Sequence, residues 1–273
     1  TKWLQTEAGF HYALDYLTTT KPKGGDVLKI GTLNGYAGNA LSSWQNYLTE
    51  LAKLGADVVG CQELSDDAKQ KGLTKHAKSL GWGATTRNSA VTTFYDKNTQ
   101  QLLDEGYVVV DKGGKRWEPG AGGSTSIYKI IMVCKFRDKR TGRVWHHLNH
   151  HVVPTIERNG AFRSDHPIRV SIAKKQIKAI CERLKLYGAE GFVAATADWN
   201  IARVGPASKW AEQQFHDAGA RNCWEEWPDK ATHTSGRTID WVVASDTADI
   251  TDVQVLARRG TGDHNPVLVT YTL

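Results

Sequence analysis

The sequence of 273 residues lacks most of the features that mark specialised protein classes. It has four cysteines and no Cys-x-x-Cys pair, which argues against the usual zinc and redox templates. A disulfide between Cys181 and Cys223 is the one pairing that we keep open. No apolar run approaches the roughly 18 residues of a membrane span. There is also no internal repeat or low-complexity tract, so solenoid and disordered classes are excluded.

Methionine is almost absent. The only one is Met132, so Thr1 is not a translation start, and we expect the chain to be processed or excerpted from a longer protein. The first twenty residues lack the continuous apolar core of a signal peptide, and the compartment stays open. A Pro-Gly breaker near residue 24 separates this segment from the regular pattern that follows. We therefore expect an N-terminal extension over 1–26 and one catalytic-type domain over 27–273.

The composition that remains is that of an ordinary globular protein with a basic balance. Forty per cent of residues are hydrophobic, 23% are charged, and the net charge is +6. Such a chain can bury a sizeable core, and its charge favours an anionic partner. The basic residues form two groups, one around a predicted hairpin (Lys135, Arg137, Lys139, Arg140, Arg143) and one on a predicted helix (Lys174, Lys175, Lys178, Arg183, Lys185). Each group is either a solvated face or a set of phosphate contacts.

Hydrophobic spacing predicts alternating strand groups and helices. A buried strand, a helix and a second strand span residues 27–61, which is one βαβ-like unit. A hairpin follows over 127–153, then the clearest helix over 167–187, then strands near 192–196, 240–244 and 267–273. Helices lie between strand groups rather than after every strand, so the sheets should be mixed. The predicted fold class is α/β (α+β), a four-layer α/β/β/α sandwich of two mixed β-sheets flanked by helices.

Polar residues follow several of these strands directly. Asn34, Gln62-Glu63 and Asp198 each come at the end of an apolar run, where a rigid scaffold delivers side chains to a shared cleft. Taken singly, each could equally be a turn or capping residue. Near the end of the chain, His264 follows Asp263 and precedes the last apolar strand. Together with Asp240, it can form an oriented histidine base.

The histidine run of the predicted hairpin needs separate treatment. Along a strand, His146 and His150 face one side while His147 and His151 face the other. This alternation argues against a zinc cluster, since one or two of the four at most can reach a common site.

Taken in order, these clusters resemble the endonuclease/exonuclease/phosphatase superfamily, which has the DNase I-like fold. The matching motifs are Leu33-Asn34, Gln62-Glu63, His150-His151-Val152, Ala197-Asp198-Trp199-Asn200, Ile239-Asp240-Trp241 and Gly262-Asp263-His264-Asn265-Pro266-Val267. His150 stands where the family usually has threonine. Alanine at 197 and glycine at 262 replace a usual glycine and serine, which affects backbone spacing rather than reactive groups.

The resemblance implies a set of site residues. The catalytic set would be His151, Asp198, Asn200, Asp240 and His264, the metal ligands Glu63, Asn34 and Asp263, and the substrate contacts Asn200, Arg203 and Trp199. The implied cofactor is Mg²⁺, with Mn²⁺ or Ca²⁺ as alternatives, held by hard oxygen ligands. Whether Asp198 or His264 is the base stays open. Trp199 and Trp241 adjoin these positions, and we hypothesise that one of them stacks on a base.

The family contains several kinds of phosphoesterase. Phosphoinositide 5-phosphatases usually carry arginine two residues after the motif asparagine, whereas this chain has Ala202 there and Arg203 one residue late. The run from Thr232 to Asp240 is similar to that of DNase I-like toxin subunits. We therefore expect a divalent-metal-dependent phosphodiesterase that hydrolyses nucleic acid, with DNA endonuclease activity as the leading interpretation. The alternatives are a phosphatase or phospholipid phosphodiesterase of the phosphoinositide or sphingomyelin type, and a catalytically silent binding module.

Overall fold

A computed structural model describes residues 26–86, 90–113, 118 and 129–273. The expected extension over 1–26 therefore lies, except for Asp26, outside the described residues. The described residues form four helices and fourteen strands. In chain order they are β1 Val27–Asn34, α1 Leu41–Lys53, β2 Val58–Gln62, α2 Asp67–Ser79, β3 Trp82–Ala84, β4 Thr92–Asp96, β5 Gln100–Asp111, β6 Lys129–Asp138, β7 Val144–His151, β8 Glu157–Arg158, β9 Ala161–Phe162, α3 Pro167–Gly188, β10 Val193–Asp198, α4 Gly205–Asp217, β11 Ala220–Asn222, β12 Asp240–Ser245, β13 Asp249–Val255 and β14 Val267–Thr272.

The strands form two mixed six-stranded sheets, ordered β13-β14-β1-β2-β4-β3 and β11-β12-β10-β7-β6-β5. Each sheet has one parallel pair, β1 with β2 and β7 with β10. A parallel pair needs a crossover connection, and α1 and α3 supply the two crossovers. The register pairs Asn34 with Gln62 and His151 with Asp198, so in both sheets the polar strand ends lie side by side.

The helices cover the outer faces of the sheets. Trp44, Leu48 and Leu51 of α1 are buried in one apolar cluster with residues of β1 and β2. Ile177 and Ile180 of α3 are buried in the other, with residues of β7, β10 and β12. The predicted four-layer sandwich is confirmed. No helix within the described residues is both long enough and apolar enough to cross a membrane.

Between the two sheets lies a seam of buried polar side chains. Nε2 of Gln62 donates to Oδ1 of Asn149 at 2.8 Å, and Nδ2 of Asn149 donates to the carbonyl of Cys61 at 3.0 Å. A Cβ atom on Gly60 would lie 1.9 Å from Oγ1 of Thr196. The two sheets thus approach each other closely at Gly60, and the hydrogen bonds of the Gln62 and Asn149 side-chain amides join them near the predicted site.

Hydrophobic spacing missed several elements. Helix α2 has only Gln70, Leu73 and Ala77 buried, so it presents no apolar stripe. Asp66 caps it by accepting from the backbone N of Lys69 at 2.7 Å. Helix α4 and strand β13 were missed as well. All four cysteines are free thiols, so the Cys181–Cys223 disulfide that was kept open is not formed.

Candidate active site

The polar strand ends of both sheets meet at one edge of the sandwich. Strands β12 and β14 run antiparallel to β10 and β1, so their first residues lie at the same edge. Nδ2 of Asn34 donates to Oδ2 of Asp198 at 3.0 Å and to Oε1 of Glu63 at 3.2 Å. One amide therefore links three segments that are distant in sequence, and it joins the two sheets at the cleft.

Asp198 lies at the centre of this cleft. Its Oδ2 atom is 3.4 Å from Nε2 of His151, 3.7 Å from Nε2 of His264 and 3.2 Å from Nδ2 of Asn200. Burial would raise the pKa of Asp198, but the hydrogen bond from His151 and the charge of His264 outweigh it and lower the pKa to about 2. Asp198 is therefore an ionised carboxylate placed between two imidazoles.

His264 is held by Asp240. Nδ1 of His264 lies 2.8 Å from Oδ2 of Asp240, and Oγ1 of Thr232 accepts from the backbone N of Asp240 at 3.0 Å. Burial alone would lower the pKa of His264, but the charges of Asp240 and Asp198 outweigh it and raise the pKa to about 10. Burial raises the pKa of Asp240. At neutral pH His264 is thus an imidazolium whose Nε2 side faces the cleft.

A buried glutamine of α3 fixes the end of β7. Nε2 of Gln176 donates to the carbonyl of His151 at 3.1 Å and lies 2.8 Å from Nε2 of His150, while its Oε1 accepts from the backbone N of Val153 at 3.0 Å. His150 faces α3, and burial lowers its pKa to about 3. The histidine in the usual threonine place therefore supports the backbone beside His151, which points into the cleft.

Glu63 stands on a backbone in the left-handed region, with φ of 65°. Non-glycine residues at positive φ are strained, and such strain concentrates at functional sites. Oε2 of Glu63 accepts from the backbone N of Ala37 at 2.9 Å, and Oε1 lies 4.0 Å from Nε2 of His151. Its side chain is 27% exposed, so the carboxylate faces the cleft. A hard oxygen donor in this position fits a divalent cation.

The other two predicted metal ligands sit differently. Asn34 presents its amide nitrogen to Glu63 and Asp198, while its oxygen accepts from the backbone N of Tyr36 at 3.0 Å. In this arrangement Asn34 acts as a hydrogen-bond donor that bridges the two carboxylates. Asp263 lies beside two histidines, with its Oδ2 3.5 Å from Nε2 of His233 and its Oδ1 3.8 Å from Nε2 of His264. The role of Asp263 as a metal ligand stays a prediction.

His233 is a cleft residue that sequence reasoning did not assign. It forms an isolated antiparallel bridge with His264, and the two rings meet edge to face with centroids 4.8 Å apart. The backbone N of Ser235 donates to Nδ1 of His233 at 3.0 Å, which leaves Nε2 directed at Asp263. The signal was available, because His233 lies in the Thr232–Asp240 run that carries part of the resemblance.

Two of the predicted substrate contacts are engaged within the protein. Trp199 and Trp241 are fully buried, and their rings pack on each other with centroids 6.0 Å apart. Neither ring has a free face for a base. Arg203 is engaged by two carboxylates, with Nε 3.2 Å from Oε1 of Glu212 and Nη1 2.7 Å from Oδ1 of Asp229. Its charge is thus satisfied within the protein.

Comparison with known proteins agrees with this geometry at the level of the fold. No protein-family model and no curated protein matches the sequence. Among solved structures, an endonuclease/exonuclease/phosphatase from Bacteroides vulgatus superposes with a TM-score of 0.70 at 15% identity, covering 91% of this chain and 99% of that one. The chain has the DNase I-like fold of the endonuclease/exonuclease/phosphatase superfamily.

Other proteins of this fold act on different phosphate compounds. D. rerio TDP2, solved with a single-strand DNA product, superposes with a TM-score of 0.65 at 14% identity over 90% of this chain and 99% of that one. A mannosyl-6-phosphatase from Bacteroides thetaiotaomicron superposes with a TM-score of 0.64 at 14% identity over 90% and 100%. The DNase I-like fold alone therefore does not choose between nucleic acid and a sugar phosphate.

Proposed function

We propose that this protein is a divalent-metal-dependent phosphodiesterase that hydrolyses nucleic acid. Its preferred substrate is DNA, and it cleaves internal phosphodiester bonds, as an endonuclease does. The observation that carries the proposal is the position of Asp198, an ionised carboxylate between Nε2 of His151 and Nε2 of His264. Two imidazoles that face one carboxylate, with Glu63 beside them, match the needs of phosphodiester hydrolysis.

A phosphodiester resists attack because its anionic oxygens repel the nucleophile. Catalysis therefore requires positive charge at the phosphoryl oxygens and a proton for the leaving oxygen. His264 is held as an imidazolium by Asp240, so it supplies a charged donor. His151, whose Nε2 lies 3.4 Å from the same Oδ2 of Asp198, is placed to donate to the leaving oxygen. Asn200, whose Nδ2 lies 3.2 Å from Oδ2 of Asp198, completes the set of donors.

The charges favour one of the two residues that the sequence left open as the base. His264 is already protonated at neutral pH, so it cannot take up another proton. Asp198 is ionised. We assign Asp198 the role of orienting the attacking water and receiving its proton as the new phosphorus–oxygen bond forms.

The donor set fits a divalent cation, Mg²⁺ in the first place, with Mn²⁺ or Ca²⁺ as alternatives. Glu63 would hold it through its cleft-facing carboxylate, which has the oxygen chemistry that Mg²⁺ prefers. When bound, such a cation would supply positive charge that offsets the negative charge developing on the phosphoryl oxygens. Asn34 keeps Glu63 and Asp198 together by donating to both carboxylates.

Nucleic acid is favoured over a small phosphate ester by charge. The chain carries a net charge of +6, which suits a polyanion. The feature that had kept the phosphoinositide alternative open, Arg203, is paired with Glu212 and Asp229 and gives that alternative no support. His151, Asp198, Asn200, Asp240 and His264 lie within contact distance of one another in series, which argues against a silent binding module.

The proposal is tested with a substrate panel in Mg²⁺, comprising supercoiled plasmid, single-stranded RNA, inositol phosphates and a generic phosphodiester. We expect nicking of the plasmid, loss of nicking in Glu63→Gln, and full activity in Glu182→Gln, which removes the same charge from an exposed position of α3. Release of inorganic phosphate from inositol phosphates with intact plasmid would refute the nuclease assignment. Inactivity on all four substrates would refute the enzyme.

A further inference from the structure

A second concave surface lies outside the catalytic cleft, on the helical layer over the second sheet. This α3 groove has a volume of about 530 Å³, and its charged lining consists of Arg163, Lys174, Lys175 and Lys178. The three lysines are three of the five basic residues that the sequence placed on this helix. These lysines therefore line a concave surface, whereas a simple solvated helix face would be convex.

The positive charge of the groove is largely uncompensated. Arg163 forms an ion pair with Asp165, its Nη2 lying 2.7 Å from Oδ2. Among the described residues, Lys174, Lys175 and Lys178 have no carboxylate within ion-pair distance. Lys174 and Lys178 are four residues apart on one helix, where like charges repel. An anionic ligand would relieve this repulsion.

One of these lysines is held in place by aromatic rings. Nζ of Lys174 lies 4.6 Å from the ring centroid of Phe162 and 5.3 Å from that of Trp210, and the two rings meet edge to face at 5.5 Å. Cation–π contacts of this kind fix an ammonium group without neutralising it. The Lys174 ammonium group is therefore held in the groove and does not move freely in solvent.

The groove is connected to the catalytic cleft through the hairpin of β8 and β9. Phe162 ends this hairpin, and Glu157 begins it. Oε2 of Glu157 accepts from the backbone N of Ala202 at 3.2 Å, two residues after Asn200. Helix α3 also approaches the cleft, because Gln176 binds the carbonyl of His151. The hairpin and α3 therefore each contribute residues both to the groove and to the surroundings of the cleft.

We propose that the α3 groove binds the phosphate backbone of a nucleic-acid strand at a distance from the scissile phosphate. The inference rests on the proposed nuclease function and deepens it, because it makes a polynucleotide the preferred substrate over a short fragment. Lysines at a backbone act as point charges and release counterions, so the contribution of the groove depends on salt and not on base sequence.

The test compares two triple variants of equal charge. Lys174→Gln/Lys175→Gln/Lys178→Gln removes the groove lysines. Lys71→Gln/Lys75→Gln/Lys78→Gln removes three exposed lysines from α2 on the opposite layer. The binding of two fluorescent oligodeoxynucleotides, a 30-mer and a 4-mer, is measured by fluorescence anisotropy in the presence of EDTA, over a range of salt concentrations. Because binding without metal requires no catalysis, this assay and the cleavage panel can fail separately.

We expect the groove variant to weaken 30-mer binding about tenfold and to lower the slope of log Kd against log salt by about 2 to 3. Binding of the 4-mer and hydrolysis of bis(p-nitrophenyl) phosphate should not change, because both engage only the cleft. The α2 variant should match the wild type. Equal weakening by both variants, or by neither, would overturn the proposal. Displacement of the 30-mer from the α2 variant but not from the groove variant by inositol hexakisphosphate would support it.

Should the triple variant be poorly folded, Lys175→Gln/Lys178→Gln serves instead, since both side chains are exposed and Lys174 keeps its aromatic contacts. For this variant we expect a slope change of about 2. An unchanged slope in a folded double variant would overturn the proposal.

Discussion

Nδ1 of His264 lies 2.8 Å from Oδ2 of Asp240, and the two side chains are 6% and 2% exposed. A buried carboxylate in this position sets the tautomer of the imidazole and stabilises its protonated form, as in hydrolase triads. The pair links the start of β12 to the segment before β14, and both side chains are almost excluded from solvent. Its removal should therefore have chemical effects beyond a lost hydrogen bond.

We predict that Asp240→Asn lowers kcat about 10² to 10⁴-fold. The reason is that the neutral amide no longer holds His264 as an imidazolium, so the pKa of His264 falls. Steady-state kinetics on a cleavable oligonucleotide and NMR titration of the ring measure the two effects. Asp246→Asn, at an exposed position just after the same strand, is the control and should leave both unchanged. Unaltered kcat in Asp240→Asn would contradict the assigned role.

Stability should also depend on pH through His264. Its pKa in the folded state, about 10, lies above its ordinary value of 6.5, so the folded protein binds this proton more tightly than the unfolded chain does. The resulting stabilisation is fully present below about pH 6.5 and is lost as the pH rises towards 10. Urea unfolding of the wild type and of His264→Gln should thus give a difference in the free energy of unfolding that shrinks between pH 6.5 and 10. A difference that stays constant over this range would refute the shift.

Gln176 is predicted to act on activity from the helical layer. Replacement by methionine keeps the volume but leaves the carbonyl of His151 and the backbone N of Val153 without their partner, at a cost of about 2 to 4 kcal/mol in the free energy of unfolding. We expect kcat to fall about tenfold as His151 loses its fixed position. Gln213→Met, on the exposed face of α4, should change neither quantity. An unshifted NMR signal of the His151 ring in Gln176→Met would argue for a purely structural role.

The close approach of the two sheets predicts a strong effect at Gly60. A methyl group there would overlap Oγ1 of Thr196 and press on Asn149, so Gly60→Ala should cost about 1 to 3 kcal/mol, as overpacked cores do. At Gly188 the added Cβ would lie 3.7 Å from Cγ1 of Val193, which is ordinary contact. Gly188→Ala should be neutral or slightly stabilising, because alanine favours a helix. Chemical unfolding measures both, and equal stability of the two variants would contradict the packing argument.

The fold was predictable where burial leaves a strong pattern. The segments that form β1, β2 and β10 are rich in apolar residues, and α3 has a clear stripe, so their order indicated a mixed sandwich. Helix α2 escaped because its buried positions include Gln70 and Ala77, and its existence depends on a cap and on packing against α1. A helix that is stabilised by its neighbours carries little periodicity of its own.

Within the site, residue types were more predictable than orientations. Asp198 and Asn200 share the cleft, whereas Trp199 between them is buried in the core. The left-handed backbone of Asn200, with φ of 53°, lies just past the end of β10 and is not visible in the sequence pattern. The partners of Arg203 could not have been foreseen, because Glu212 and Asp229 come from α4 and a later loop, and only the tertiary fold brings them together. The same holds for Asp263, whose position beside His233 follows from a single bridge between distant segments.

The left-handed backbone at Glu63 sets the stability of the fold against the function of the side chain. At φ of 65°, glycine or asparagine would fit more easily than a glutamate, so a sequence chosen only to stabilise this backbone would not place a long acidic side chain there. A glutamate at this position therefore carries a standing conformational cost. If Glu63 holds the proposed cation, its exchange for glycine or asparagine in a diverged copy of this domain would remove the cation site and make the fold more stable at the same time.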